Sequence, residues 1–72
     1  MTIVEACETV LRQAGRPMST DEMYDAIIAG GHFTFKSKDP KAILGGAIRK
    51  HLRASRAPRI KEMQKGLYAV TD

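Results

Sequence analysis

Seventy-two residues with one cysteine and a net charge of +4 suffice for one small domain with a thin margin of stability, and they exclude a disulfide framework or a thiolate metal cluster. Hydrophobic and charged fractions of 43% and 28% belong to a globular chain rather than a disordered one. With no apolar run of about 18 residues and no signal-peptide pattern at the start, the expected setting is the cytoplasm, at the nucleoid, or the nucleus, with no membrane partner. The charge is unevenly spread. Residues 1–31 carry two arginines against five acids, net −3, whereas residues 32–72 carry ten Lys or Arg against three acids, net +7. That asymmetry favours an anionic partner for the second half, nucleic acid first; the bland alternative is a solvated basic surface with no partner.

Residues 2–14 place Ile3, Cys7, Val10, Leu11 and Ala14 on one stripe, and Thr2 with Glu5 has the spacing of a capping box, so a first amphipathic helix is expected. Cys7 lies on that stripe and reads as a small buried hydrophobe rather than a reactive thiol. Gly15 ends the helix, and Arg16-Pro17-Met18 leaves room for one extended, bridge-like segment. Ser19-Thr20-Asp21-Glu22 is a second capping signal, with Ser19 or Thr20 as the cap. A second helix is predicted to about Ala29, with Met23, Ile27, Ile28 and Tyr24 on its buried side and Gly30-Gly31 as its stop. His32 to Phe35 reads as a packed loop in which Phe33 and Phe35 close the bottom of the core rather than serve as base-stacking platforms.

Asp39 to Arg56 is predicted as the third helix, with Asp39 as N-cap and Pro40 at the first helical position. On a helical wheel Ile43, Leu44, Ala47, Ile48 and Leu52 gather on one side, and Gly45, Arg49, Arg53 and Arg56 on the other. Ala57-Pro58 breaks the pattern. Arg59–Met63 and Leu67–Val70 then read as two strands around Gln64-Lys65-Gly66, with Ile60, Met63, Tyr68 and Val70 inward and a bulge or one-sided exposure near Glu62. Helix, bridge, helix, helix, hairpin is the order of an α+β winged helix-turn-helix, three helices with a C-terminal β-hairpin wing, filling 1–72 as a single domain. A plain helical bundle would leave the two strands and their glycine turn unexplained.

The residues resemble the HARE-HTH family, a winged-helix module found at the N-terminus of some restriction endonucleases, in Asx-like chromatin regulators and in the delta subunit of bacterial RNA polymerase. The carriers are the opening EACETVLRQAGRPMSTDEMYDAIIAGG, the Lys-Ser-Lys-Asp-Pro run before the third helix, and the closing MQKGLYAV with Gly66 and Tyr68 at the family's glycine and aromatic positions. The resemblance covers nearly the whole chain. It implies DNA binding, or recruitment to DNA-associated machinery in transcription or restriction-modification, by an accessory domain of a longer protein, with double-stranded DNA that carries modified bases among the expected partners. Gly45-Gly46 inside the third helix and the basic character there depart from some members, which weighs against a purely protein-binding role.

Cations able to meet phosphates crowd the second half: Lys36, Lys38, Lys41, Arg49, Lys50, Arg53, Arg56, Lys61 and Lys65 are the candidate contacts, with Arg59 beside them. Arg49 and Arg53 are expected to face the major groove, because a planar guanidinium can meet guanine O6 and N7 with two hydrogen bonds. Lys38 and Lys41 stand where a helix N-terminus also attracts phosphate, and Lys61 and Lys65 place charge on the wing. Gly45-Gly46 costs the helix about 1 kcal/mol per residue against alanine. Gly45 is therefore a candidate for close approach of the helix to DNA, with close packing against the first or second helix as the other account. His51 reads as a boundary residue. No metal-ligand spacing, phosphate loop, nucleophile elbow or paired carboxylates appear, so neither catalysis nor a cofactor is expected. The function expected is a non-catalytic DNA-binding module with its third helix, Pro40 to Arg56, in the major groove and its wing on the backbone. The alternative is a protein-interaction module that recruits or regulates a nucleic-acid enzyme such as RNA polymerase; RNA binding is weaker, since few aromatics are available for stacking.

Overall fold

The computed structural model describes residues 2–71; Met1 and Asp72, the ends of the predicted 1–72 domain, lie outside them. Helix α1 (Ile3–Ala14) starts at a complete capping box, in which the Thr2 hydroxyl accepts the Glu5 N–H and the Glu5 carboxylate accepts the Thr2 N–H. A short strand β1 (Met18–Ser19) leads into α2 (Thr20–Gly30), where Ser19 is the cap and repeats the box with Glu22. Both boxes satisfy amide donors that have no partner within their helices. Helix α3 (Pro40–Ala54) begins with Asp39 accepting the Ala42 N–H and Pro40 in the first turn. Strands β2 (Ile60–Gln64) and β3 (Leu67–Val70) form the terminal hairpin.

All three strands join one antiparallel sheet in the order β1-β3-β2, with Met18 opposite Tyr68 and Ile60 opposite Val70. The bridge segment therefore ties the connection between α1 and α2 to the wing. A bulge falls between Glu62 and Gln64, where the broken alternation of the sequence pointed. Gly66 closes the turn at φ +82°, a conformation that a Cβ would strain, and its N–H donates to the Glu62 carboxylate at 3.1 Å.

Ala6, Cys7, Val10 and Leu11 of α1, Met23 and Ile27 of α2, and Leu44 and Ile48 of α3 meet in one core that Met18, Ile60 and Tyr68 close from the sheet. Tyr24, Phe33 and Phe35 pack against its edge, Phe35 lying 5.4 Å from the Tyr24 ring and 5.0 Å from Phe33, centroid to centroid. The packed-loop reading of 32–35 holds. No side chain among the described residues is both polar and buried without a partner.

Several expectations are corrected. Ile28 and Ile43 are each 47% exposed, because each sits one position, or about 100°, from the residue its helix buries, Ile27 and Leu44. Met63 is 52% exposed because the bulge turns it out of register. Ala14 is exposed where α1 runs past the core. Gly45 keeps to the basic side, beside Arg49, but is buried there rather than open. Helix α3 stops at Ala54, so Arg56 stands in the following loop, and β2 runs from Ile60 to Gln64 rather than from Arg59 to Met63.

Candidate nucleic-acid interface

Helix α3 buries the stripe Leu44, Gly45 and Ile48 and leaves Arg49 and Arg53, one turn apart, on its solvent side. Side chains on a helix lean toward its N-terminus, and Arg49 does so over the glycine pair. A Cβ built on Gly45 would lie 3.4 Å from Arg49 Nη1, and one on Gly46 would lie 4.0 Å from Arg49 Nη2. Among the described residues no other element comes within 4 Å of either position, so the glycines are not there to admit the first or second helix. The side chain nearest to that added Cβ at Gly45 is the Arg49 guanidinium of its own helix.

The ion pairs divide the cations into two groups. Arg12 pairs with Glu8 at 3.0 Å, Arg16 with Glu22 at 3.1 Å, Lys41 with Asp21 at 3.3 Å, and Arg59 with Glu8 at 3.4 Å. Every acid in these pairs comes from the first half of the chain. Lys36, Lys38, Arg49, Lys50, Arg53, Arg56, Lys61 and Lys65 are exposed and make no ion pair among the described residues. Eight unneutralised cations on the loop before α3, on α3, on the loop after it and on the wing give the second half its field.

Two predicted contacts are more constrained than the sequence suggested. Lys41 is held between the Asp21 carboxylate and the Tyr24 ring, its Nζ 5.7 Å from the centroid, so it braces α2 against α3. At the start of α3 the Asp39 carboxylate accepts the Ala42 N–H at 3.3 Å, and Ser37 in turn accepts the Asp39 N–H.

His51 is half-buried, and its Nε2 accepts the Arg59 N–H at 2.9 Å. It fastens the last turns of α3 to the chain entering the wing, which fixes helix and hairpin relative to each other. The Arg59 side chain reaches back to Glu8 on α1. Neither link leaves a trace in local sequence spacing, since Arg59 and Glu8 are 51 residues apart.

Among the described residues three titratable groups are shifted from their ordinary values, each by its place in the fold. Burial pushes the Cys7 thiol up to about 12, which removes the thiolate that a nucleophile needs. Glu5 and Glu22 are lowered from the usual carboxylate value, each mainly by the backbone N–H of its cap residue, and so stabilise their helices. Among the described residues no group of three or more His, Cys, Asp or Glu side chains could hold a metal ion, and no helix is long and apolar enough to cross a membrane.

Three helices, a β1-β3-β2 sheet and a basic third helix next to a hairpin define a winged helix-turn-helix protein. Compared with known families, residues 1–71 match the model of the HARE-HTH domain, described as an HTH domain of ASXL proteins and restriction endonucleases. The chain belongs to that family of DNA-binding helix-turn-helix domains. No curated protein and no solved structure matches it.

Proposed function

We propose that the chain is a non-catalytic module that binds double-stranded DNA, with α3 in the major groove and the β2–β3 hairpin on the phosphate backbone. The observation that carries this reading is the segregation of charge: every paired cation is matched by an acid of the first half, while eight cations around α3 and the wing have no counter-charge among the described residues. Exposed cations without partners are what phosphates neutralise, with release of condensed counterions. Arg49 and Arg53 are the groove-facing pair, able to take guanine edges or phosphates in bidentate fashion. Lys36, Lys38, Lys50 and Arg56 flank them as backbone contacts, and Lys61 and Lys65 serve the wing. Lys41 joins the contact set by exchanging Asp21 for a phosphate. Gly45, beneath the Arg49 guanidinium, lets that side chain lie flat and the helix sit deep in the groove.

Anisotropy titration of a fluorescent duplex tests the reading. Affinity falls steeply between about 50 and 200 mM salt, and the slope of log K against log salt is near 0.9 per phosphate contacted. Arg49→Ala with Arg53→Ala lowers affinity at least tenfold, about 1.4 kcal/mol, without loss of the thermal unfolding transition. Parallel duplexes with and without modified bases read out the base preference that the family suggests. Absence of duplex binding at low salt rejects the proposal.

A further inference from the structure

One residue in the last turn of α3 makes two bonds to the chain that follows. The His51 carbonyl accepts the Ser55 N–H at 3.0 Å, which ends the helix, and the His51 Nε2 accepts the Arg59 N–H at 2.9 Å. From the other side Thr71, just past β3, donates its N–H to the Arg59 carbonyl at 3.1 Å and its hydroxyl to the Pro58 carbonyl at 2.9 Å. Arg59 thus joins three elements at the root of the wing: α3 through its N–H, the end of the hairpin through its C=O, and α1 through the guanidinium that Glu8 holds. Ile60, the next residue, is fully buried, so β2 stays on a folded core when these outer bonds open.

The bond to His51 depends on the charge of its ring. A backbone N–H can only donate, so Nε2 must offer a lone pair, and the neutral ring does so with its proton on Nδ1. Both nitrogens of an imidazolium are donors, so protonation removes this link rather than weakening it and sets two N–H groups against each other. The surroundings offer the charged ring no exchange. Lys50 of α3 and Arg59 line the groove beside it as cations, and the Glu5 carboxylate from α1 is taken up by the Thr2 N–H of its capping box. Glu8 of α1 is engaged with Arg12 and Arg59. Among the described residues no acid pairs with His51. At 100° per residue His51 lies about 160° around the helix from both Arg49 and Arg53, so it stands away from the groove-facing pair.

We propose that His51 is the positioning residue of the wing: as a neutral imidazole it holds the 55–59 connection, and with it the hairpin, at a fixed angle to α3, and as an imidazolium it lets both go. The lock stands on the hydrogen bond alone. Its consequence for DNA rests on the proposed reading of α3 and the wing as two contacts with one duplex. Lys61 and Lys65 lie just beyond Arg59, so slack at this root costs the wing its phosphate contacts while Arg49 and Arg53 keep theirs.

NMR of the chain, isotope-labelled in its imidazole nitrogens, tests the lock between about pH 8 and about pH 5.5, where histidine changes charge. At the upper end His51 should carry its proton on Nδ1, the tautomer that a free imidazole disfavours. Protection of the Arg59 amide from hydrogen exchange should there exceed that in His51→Phe about tenfold, and should fall to the same level at the lower end. In His51→Gln, whose amide oxygen can stand where Nε2 does and accepts at either pH, protection should persist. Duplex affinity is then read at constant salt as the ratio of wild type to His51→Gln. An imidazolium acting as one more cation would raise that ratio on acidification, whereas a freed wing should lower it about fivefold. An Nε2–H tautomer at the upper end, or protection that persists once the ring is protonated, overturns the lock. A ratio that holds or rises overturns the positioning role. Absence of duplex binding at both ends would reject the DNA reading alone, with the tautomer and the Arg59 protection still deciding the lock.

Discussion

The two halves of this small domain use charge in opposite ways. Most acids of the first half are engaged within the fold: Glu5 and Glu22 complete capping boxes, Glu8 holds Arg12 and Arg59, and Asp21 holds Lys41. Most cations of the second half have nothing to hold among the described residues. A chain of this size has little stability to spend, and repulsion among eight unmatched cations consumes some of it. The difference teaches that the first half uses its charge within the fold, while the second keeps most of its cations open to solvent among the described residues. A surface that served folding alone would have spread its acids among its lysines and arginines.

That contrast is broken most severely from within the shared core. Leu44 is fully buried and lies on the same helix as the arginines, so Leu44→Ala should cost about 2–5 kcal/mol, enough to unfold much of a domain this small. Urea denaturation followed by circular dichroism measures it. Loss of DNA binding in this variant would report unfolding, whereas Arg49→Ala with Arg53→Ala should lose binding at unchanged midpoint.

The next largest effect belongs to the caps of the first half. Ser19→Ala removes the hydroxyl that accepts the Glu22 N–H at 3.2 Å and should cost about 1 kcal/mol. The same boxes set a pH response. The carboxylates of Glu5 and Glu22 sit below their ordinary value of 4.5, chiefly through the backbone N–H groups of Thr2 and Ser19. Because folding depresses these values, their contribution is complete above 4.5 and drains away as pH falls through the lower folded values. Melting temperature should therefore hold from neutrality to about pH 5 and fall below it, with a shallower fall in Ser19→Ala. A melting temperature that does not change below pH 4.5 would sever the caps from stability.

Gly45→Ala should move the two halves in opposite directions. The new methyl meets only Arg49 Nη1, at 3.4 Å, the far end of a flexible side chain, while helix propensity improves by up to ~1 kcal/mol. Stability should rise and duplex affinity should fall. A fall in both would mean that the glycine serves packing, although no other element among the described residues lies within 4 Å.

How far the sequence carried the fold depended on whether its signals were local. Capping boxes at Thr2–Glu5 and Ser19–Glu22, Pro40 after Asp39, and the Gly66 turn are read within a few residues, and each stands where it was expected. The burial of Ile43, Ile28 and Met63 was misread because residues flanking a stripe look apolar whether or not a neighbouring element covers them. Which cations are neutralised was also out of reach. Lys41 and Asp21 are 20 residues apart and Arg59 and Glu8 are 51, so only the tertiary fold could separate Arg59 from Arg56.

The smallest effect would sharpen the contrast rather than break it. Glu8 is the acid that neutralises two cations, one on its own helix and one at the start of the wing. Both guanidiniums are at least half as exposed as a free side chain, at 50% and 59%. Such pairs are worth about 0–1 kcal/mol, so Glu8→Gln should lower the melting temperature only slightly. It releases Arg59 beside Lys61 and raises the net charge from +4 by one. If Arg59 lies within the DNA footprint, the salt dependence should steepen by about 0.9 in log–log slope, one more phosphate contact, and affinity at low salt should rise. An unchanged slope would place Arg59 with the scaffold, as a cation that the first half keeps for folding, and would draw the boundary of the interface between Arg56 and Arg59.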